Sequence, residues 1–215
     1  MTPTRRTKRS YDSTRRQAQA DATRRLVLQA ASDAFAERGY SGATVESIAQ
    51  SAGVSPETIY ASFGSKRNLL VALLDLAVGG DEQSIPLLRR PGPQAVLRTS
   101  DPARQLELFA EDISLILQRV SPLFEVVRMA AKTEPEIETL LNRMLAERLR
   151  NMQAPAASLR AHGGLRPGLS TARAADTLWT ITSPEVFRLL TVDRGWSREK
   201  YVAWLTDTLS RLLLP

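Results

Sequence analysis

Ser55, Glu57, Thr58, Tyr60 and Lys66 bring two aliphatic hydroxyls, a carboxylate, a phenol and an ammonium into twelve consecutive positions. No histidine or cysteine stands among them to act as base or nucleophile, so the chemistry on offer is recognition rather than bond-making. A carboxylate such as Glu57 can accept from a cytosine amino group, and the methyl of Thr58 can meet a thymine methyl. Thr44, Tyr60 and Lys66 are the types that hold phosphate oxygens, which fixes register without reading sequence. Ser55, Glu57 and Thr58 are the candidates for base edges or the phosphates beside them. Pro56 lies on the same stretch.

Such groups need a rigid frame, and the surrounding residues supply one. Thr44 can cap a first short helix whose inward face is Ile48 and Ala49, and Ala52-Gly53-Val54 makes a tight corner. Ser55-Pro56 is a strong helix start, with an N-cap serine before proline at the first helical position. Glu57 suits the positive end of that helix, while Ile59 and Phe63, four apart, form its buried stripe. Two short helices joined by a glycine-bearing turn describe a helix-turn-helix over residues 44–63, whose second helix can enter a major groove. Ser65 can cap a third helix that opens with Lys66 and Arg67. Cations there oppose the helix dipole, and a DNA phosphate at that helix start would account for them.

The run Thr44-Val45-Glu46-Ser47-Ile48-Ala49, then Ala52-Gly53-Val54-Ser55, Thr58-Ile59-Tyr60 and Phe63-Gly64-Ser65-Lys66, resembles the DNA-binding signature of TetR-type transcriptional regulators. Residues 30–36 and Gly39-Tyr40 resemble the first helix of the same domain and its exit. The likeness covers about 50 residues without a gap. It implies a three-helix DNA-binding head on a larger all-helical domain that dimerises and binds a small effector. One departure is Ala61-Ser62, where many relatives carry bulky or basic residues.

Length and composition fit this frame. The chain has 215 residues, 43% of them apolar, and no cysteine, which excludes a disulfide framework or a thiolate metal site. No apolar run approaches the roughly 18 residues of a membrane span, and no apolar segment follows the basic N-terminus, so a soluble cytoplasmic protein is expected. The net charge of +6 is concentrated: residues 1–25 hold eight basic residues and two acidic ones, and the remainder is balanced. Residues 1–20 are read as a disordered basic arm drawn to polyanions, following phosphates or lying in the minor groove.

The organisation expected is that arm, a head over residues 21–80 and an all-α domain over 81–215. A first helix spans 22–38 and ends at Gly39. A helix from Lys66 runs to Gly79-Gly80 and links the two domains. Four prolines and three glycines make residues 79–102 a connector with at most a short turn at 95–98. Helical periodicity returns over 103–120 and 122–132. It resumes after Pro135, where Pro155 breaks or kinks it. The last 45 residues form a helical pair, 170–191 bent at Pro184 and 197–214, holding all three tryptophans. Trp179, Val186, Leu189, Leu190, Tyr201, Trp204, Leu205, Leu209 and Leu212 are the expected dimer face. Phe109, Ile113, Leu117, Phe124, Val127, Met144, Met152, Trp179 and Thr182 could line an effector pocket. Arg128 and Arg148, if turned inward, favour an acidic or polar ligand.

Enzymatic chemistry has little to stand on. His162 is the sole histidine, so neither a histidine triad nor a zinc site can be assembled, and phosphate-cradling glycine motifs are missing. Glu134, Glu136 and Glu138 more simply serve a helix dipole. No cofactor is expected. The partners expected are double-stranded operator DNA, a second copy of the chain and a small-molecule effector, with no membrane. Two other readings stay open: an architectural DNA-binding protein without effector, and a helical module whose head makes protein contacts.

Overall fold

A computed structural model of the chain describes the backbone of residues 8–215 and side chains from residue 15 onward, and no strand occurs among them. The chain divides into two compact units, with the boundary between Leu73 and Leu74.

The first unit opens with α1 (Lys8–Gly42). Between Lys8 and Arg38 there is no glycine or proline, and alanine, glutamine and arginine abound. Residues 8–20, expected as disordered arm, therefore continue the helix; residues 1–7 lie outside the described region. Gly39 ends the regular helix with φ 68°, a left-handed conformation that costs a residue with a Cβ but not glycine. Thr44 then caps α2 (Val45–Ala52) by accepting from the Ser47 amide at 3.1 Å. Gly53 (φ 67°) closes α2 in the left-handed conformation and turns the chain into α3 (Pro56–Phe63). Ser65 caps the start of α4 (Lys66–Gly79), accepting from the Asn68 amide at 3.1 Å. Phe35, Ile48, Ile59, Leu69 and Leu70 are fully buried in this unit.

In the second unit the end of α4 is tied down by arginines. Arg119 Nε donates to the Ala77 carbonyl at 2.8 Å, and Arg90 donates to the Gly79 carbonyl at 2.7 Å. These satisfy carbonyls that a helix C-terminus leaves without intrahelical partners. Arg90 also pairs with Asp81 at 3.0 Å and donates to the Gln83 and Ile85 carbonyls, so one side chain organises the glycine-rich connector. That connector is more regular than expected. A 3-10 turn (Leu87–Arg89) leads into α5 (Pro91–Arg98), because Pro91 and Pro93 occupy a first turn whose amides have no intrahelical acceptor.

Neither Pro122 nor Pro155 ends a helix. α6 (Pro102–Ala130) passes Pro122, and α7 (Pro135–Ala161) passes Pro155. An internal proline costs about 3 kcal/mol, whereas each large apolar side chain buried contributes roughly 1.5–3 kcal/mol. Val120, Leu123, Phe124, Val126 and Val127 flank Pro122 and are all buried, which outweighs the loss. Pro184 acts the other way. Instead of bending one helix it separates α8 (Thr171–Ile181) from α9 (Pro184–Arg188). Ser183 caps α9 through the Val186 amide at 3.2 Å, and a residue before proline is disfavoured in helical conformation. A π-type turn over Leu189–Asp193 leads to α10 (Arg198–Leu213), capped by Ser197.

The core of this unit joins α5, α6, α7, α8 and α10. Leu106, Ala110, Leu159, Ala174 and Leu178 meet Tyr201, Leu205, Leu209 and Leu213. Those four α10 residues have no exposure at all within the monomer. Tyr201, Leu205 and Leu209 therefore do not belong to a dimer face, contrary to expectation: their four-residue period marks the stripe facing their own chain.

Candidate functional site

α3 carries the polar residues singled out above on its free side. Ser55, Glu57 and Tyr60 are exposed, Tyr60 by 48%, as is Thr44 at the start of α2; Pro56 and Thr58 are half-buried. Ile59 and Phe63 point the opposite way and are buried, as the four-residue spacing requires. Ala61 and Ser62 extend the exposed side, giving it two small positions. Ser55 has the extended backbone of an N-cap, yet its hydroxyl makes no capping bond and lies 3.3 Å from the Thr58 hydroxyl. Glu57's own backbone amide, and then the Ser55 hydroxyl, hold its carboxyl below the usual glutamate range. It is thus an ionised, acceptor-only group at neutral pH. The result is a short helix end offering a carboxylate, two coupled hydroxyls and a phenol to whatever approaches.

Lys66 has an internal partner that its sequence neighbours do not announce. Its ammonium donates to the Tyr40 carbonyl at 2.9 Å and sits 4.2 Å from the Tyr40 ring centroid. A cation in the first turn of α4 therefore has an internal partner, and a phosphate is not needed to explain it. Tyr40 in turn stacks on Phe35 at 5.8 Å. Arg24 lies over the Phe63 ring at 4.5 Å, joining α1 to the inner side of α3. Sequence reading missed both arrangements; the partners stand 26 and 39 positions apart, and nothing local signals them.

The second unit holds a different set. Phe109, Ile113, Leu117 and Met152, expected to line a pocket, are core residues, and Phe124 and Val127 are buried. Thr182 is fully buried with its hydroxyl donating to the Leu178 carbonyl. Met144 is half-buried. Arg128 is largely exposed, pairs with Glu185 at 2.6 Å and lies 5.3 Å from the Phe124 ring centroid. Arg148 is half-buried, stacks over the Trp179 ring at 4.9 Å and donates to the Trp179 carbonyl. Three buried polar atoms in this region have no hydrogen-bond partner: Arg148 Nε, Trp179 Nε1 and the Tyr201 hydroxyl. Burial pulls the Arg148 guanidinium down to about 10 and pushes the Tyr201 phenol up, so both keep their protons at neutral pH.

Elsewhere in the same unit a groove of about 460 Å³ is lined by Ser121, Glu125, Phe187, Arg188, Trp196 and Arg198 among others, and by none of the expected pocket residues. At its margin Val192 is 64% exposed, and the neighbouring Leu189 is 56% exposed. Val186, Leu190, Trp179, Trp204 and Leu212 are half-buried, and Trp196 meets Trp204 edge-on at 6.2 Å. Among the described residues no cluster of histidine, cysteine or carboxylates could hold a metal ion, and no helix is long and apolar enough to cross a membrane.

The sequence profile of a family described as bacterial regulatory proteins, tetR family, matches residues 27–73, which takes in α2, α3 and the start of α4. The chain is 33% identical over 75 residues to the HTH-type transcriptional regulator UidR of Escherichia coli strain K12, a match covering 35% of this chain and 37% of UidR. It is 30% identical over 133 residues to the HTH-type transcriptional repressor BepR of Brucella suis, covering 60% of this chain and 61% of BepR. The chain thus matches less than two thirds of the length of each of these relatives. The crystal structure of NalD, the secondary repressor of the MexAB-OprM multidrug efflux pump in Pseudomonas aeruginosa, superimposes with a TM-score of 0.67. It is 23% identical in sequence and covers 92% of this chain and 98% of NalD, a likeness of fold.

Proposed function

We propose that this chain, which belongs to the TetR family through its N-terminal head, is a sequence-specific DNA-binding regulator: a homodimeric repressor released from a palindromic operator by a small molecule. The observation that carries this is the outward side of α3. Ser55, Glu57 and Tyr60 are exposed with Thr58 beside them, on a helix pinned from behind by Ile59 and Phe63. An α-helix so presented fits a major groove, and an ionised glutamate beside a threonine methyl can discriminate cytosine and thymine edges. Thr44 and Tyr60 would hold the flanking phosphates, with Lys66 contributing the hydrogens that Tyr40 leaves free.

The head would comprise residues 21–80 and the regulatory domain residues 81–215. Because Tyr201, Leu205 and Leu209 are committed to the monomer core, the partner copy would instead cover Leu189, Val192 and the half-buried Val186, Leu190 and Trp196. An effector in the helical domain would act by binding one arrangement of the dimer more tightly than the arrangement whose heads match the half-sites. Action would be by binding rather than catalysis, in the cytoplasm where the operator lies.

Competition separates this reading from an architectural role. The full chain is held on labelled duplex at low ionic strength while unlabelled operator-bearing or unrelated duplex is added. Displacement by operator at far lower concentration is expected; equal displacement by both would support the architectural reading. No retention on any duplex would support a head that makes protein contacts.

A further inference from the structure

Arg148, Trp179 and Tyr201 come from three different helices, α7, α8 and α10, and each leaves a polar atom buried without a partner. The kinds of atom matter. Guanidinium and indole nitrogens can only donate, and the Tyr201 phenol carries a proton to donate as well. Among these groups the Tyr201 oxygen is the one acceptor, and it receives from neither of the others, so all three donors stay without a partner. Leaving a buried donor unpaired costs about 1–3 kcal/mol each, so several in one neighbourhood are not an expected feature of a core that only needs to pack.

Charge points the same way. Glu185 is the carboxylate whose field reaches Arg148, and it is already paired with Arg128 at 2.6 Å. Arg128 and Glu185 offset each other, so the three groups together keep one positive charge, that of Arg148. Tyr201 feels the same arginine. Around these donors the walls are aromatic: the Trp179 face under Arg148, Phe187 edge-on to Tyr201 at 4.8 Å, and Trp204 at 5.8 Å. A site with anion-seeking donors and aromatic sides fits a ligand with an anionic head and an apolar body.

We infer that the effector is an organic acid whose carboxylate is received by Arg148, Trp179 and Tyr201 and whose apolar part lies against Phe187 and Trp204. This rests on the reading of the helical domain as a ligand-responsive unit. The carboxylate would accept from Arg148 Nε, the indole N–H and the phenol O–H. A cation would be repelled by the Arg148 charge with only the phenol oxygen to receive it, and a neutral alcohol would leave the arginine charge unanswered.

The test uses the full chain and matched probes: octanoate against octylamine and octanol, and benzoate against benzylamine and benzyl alcohol. Binding is read by quenching of tryptophan fluorescence, since Trp179 and Trp204 flank the site, and by release of duplex selected for binding. At least one acid is expected to bind and release duplex, with its amine and alcohol counterparts weaker by roughly tenfold or more. Arg148→Met should weaken that acid by roughly tenfold to a hundredfold, the range for a lost charged hydrogen bond. Tyr201→Phe, which removes one oxygen and keeps the ring, should weaken it several-fold with an unchanged melting temperature. The inference is overturned if amines or alcohols bind as well as acids, if none of the probes binds, or if Arg148→Met leaves acid affinity intact. Retained duplex binding in those cases leaves the regulator reading standing. Failure to bind any duplex, with acids still quenching fluorescence, sinks the regulator reading and supports the acid site.

Discussion

Lys66 shows how much a single side chain's role depends on a partner far away in the sequence. Its place at a helix start was legible, and a phosphate role was expected from helix electrostatics; its bond to the Tyr40 carbonyl at 2.9 Å was not legible. An ammonium has three hydrogens, and Tyr40 uses one, so a phosphate can still share it. Lys66→Ala should weaken binding to operator and unrelated duplex alike and lower the salt slope by about one unit. It should also destabilise the head by about 1 kcal/mol through the lost hydrogen bond and ring contact. A lower melting temperature with an unchanged salt slope would make Lys66 purely structural. Thr58 differs, because its methyl would read a base. Thr58→Ala should change the ratio of affinities between operator variants by about 1–3 kcal/mol at one position, measured by titrating paired duplexes. Uniform loss on every duplex would remove base readout from Thr58. The position of Ser55, Glu57 and Thr58 at the start of α3 was legible because helix start, dipole and four-residue spacing are all local; the Ser55–Thr58 contact in place of a capping bond was not.

At the scale of elements, what the sequence concealed was mostly how prolines act. Pro91, Pro122, Pro155 and Pro184 are one residue type with different outcomes: starting α5, riding within α6 and α7, and dividing α8 from α9. The decisive quantity is the apolar burial on either side, which is a tertiary property. The α10 stripe shows a similar limit. Its four-residue period is plain in Tyr201, Leu205, Leu209 and Leu213, but periodicity names a buried face without saying whether the same chain or a second copy covers it. Close approach between elements is likewise hidden. A Cβ placed on Gly164 would lie 2.5 Å from Cβ of Pro102 and 2.6 Å from its Cγ, in a ring that cannot swing aside. Gly164→Ala should therefore cost about 1–3 kcal/mol, read as a lower melting temperature. An unchanged melting temperature would mean that the turn after α7 shifts freely.

For the whole molecule, the motif and the apolar periodicity that follows it pointed to two units, and the chain does divide in two, between Leu73 and Leu74. The helical course of residues 8–20 was not, because basic composition outweighed the absence of helix breakers in that reading. The proposed dimer face is the larger revision. Leu189 at 56% exposure and Val192 at 64% are the apolar residues left for a partner beside the Trp196 groove. Leu189→Glu should shift sedimentation from dimer toward monomer and reduce operator affinity in step, while heat stability of the monomer changes little. A dimer that persists would move the interface elsewhere. The claim to which everything else is subordinate is that the α3 side reads DNA as a symmetric pair. Selection of bound duplexes from a random pool by the full chain tests it most directly. The account predicts recovery of a shared inverted repeat whose half-sites are centred about one helical turn, or a multiple of it, apart. A recovered pool with no common sequence, or no recovery at low salt, would contradict it.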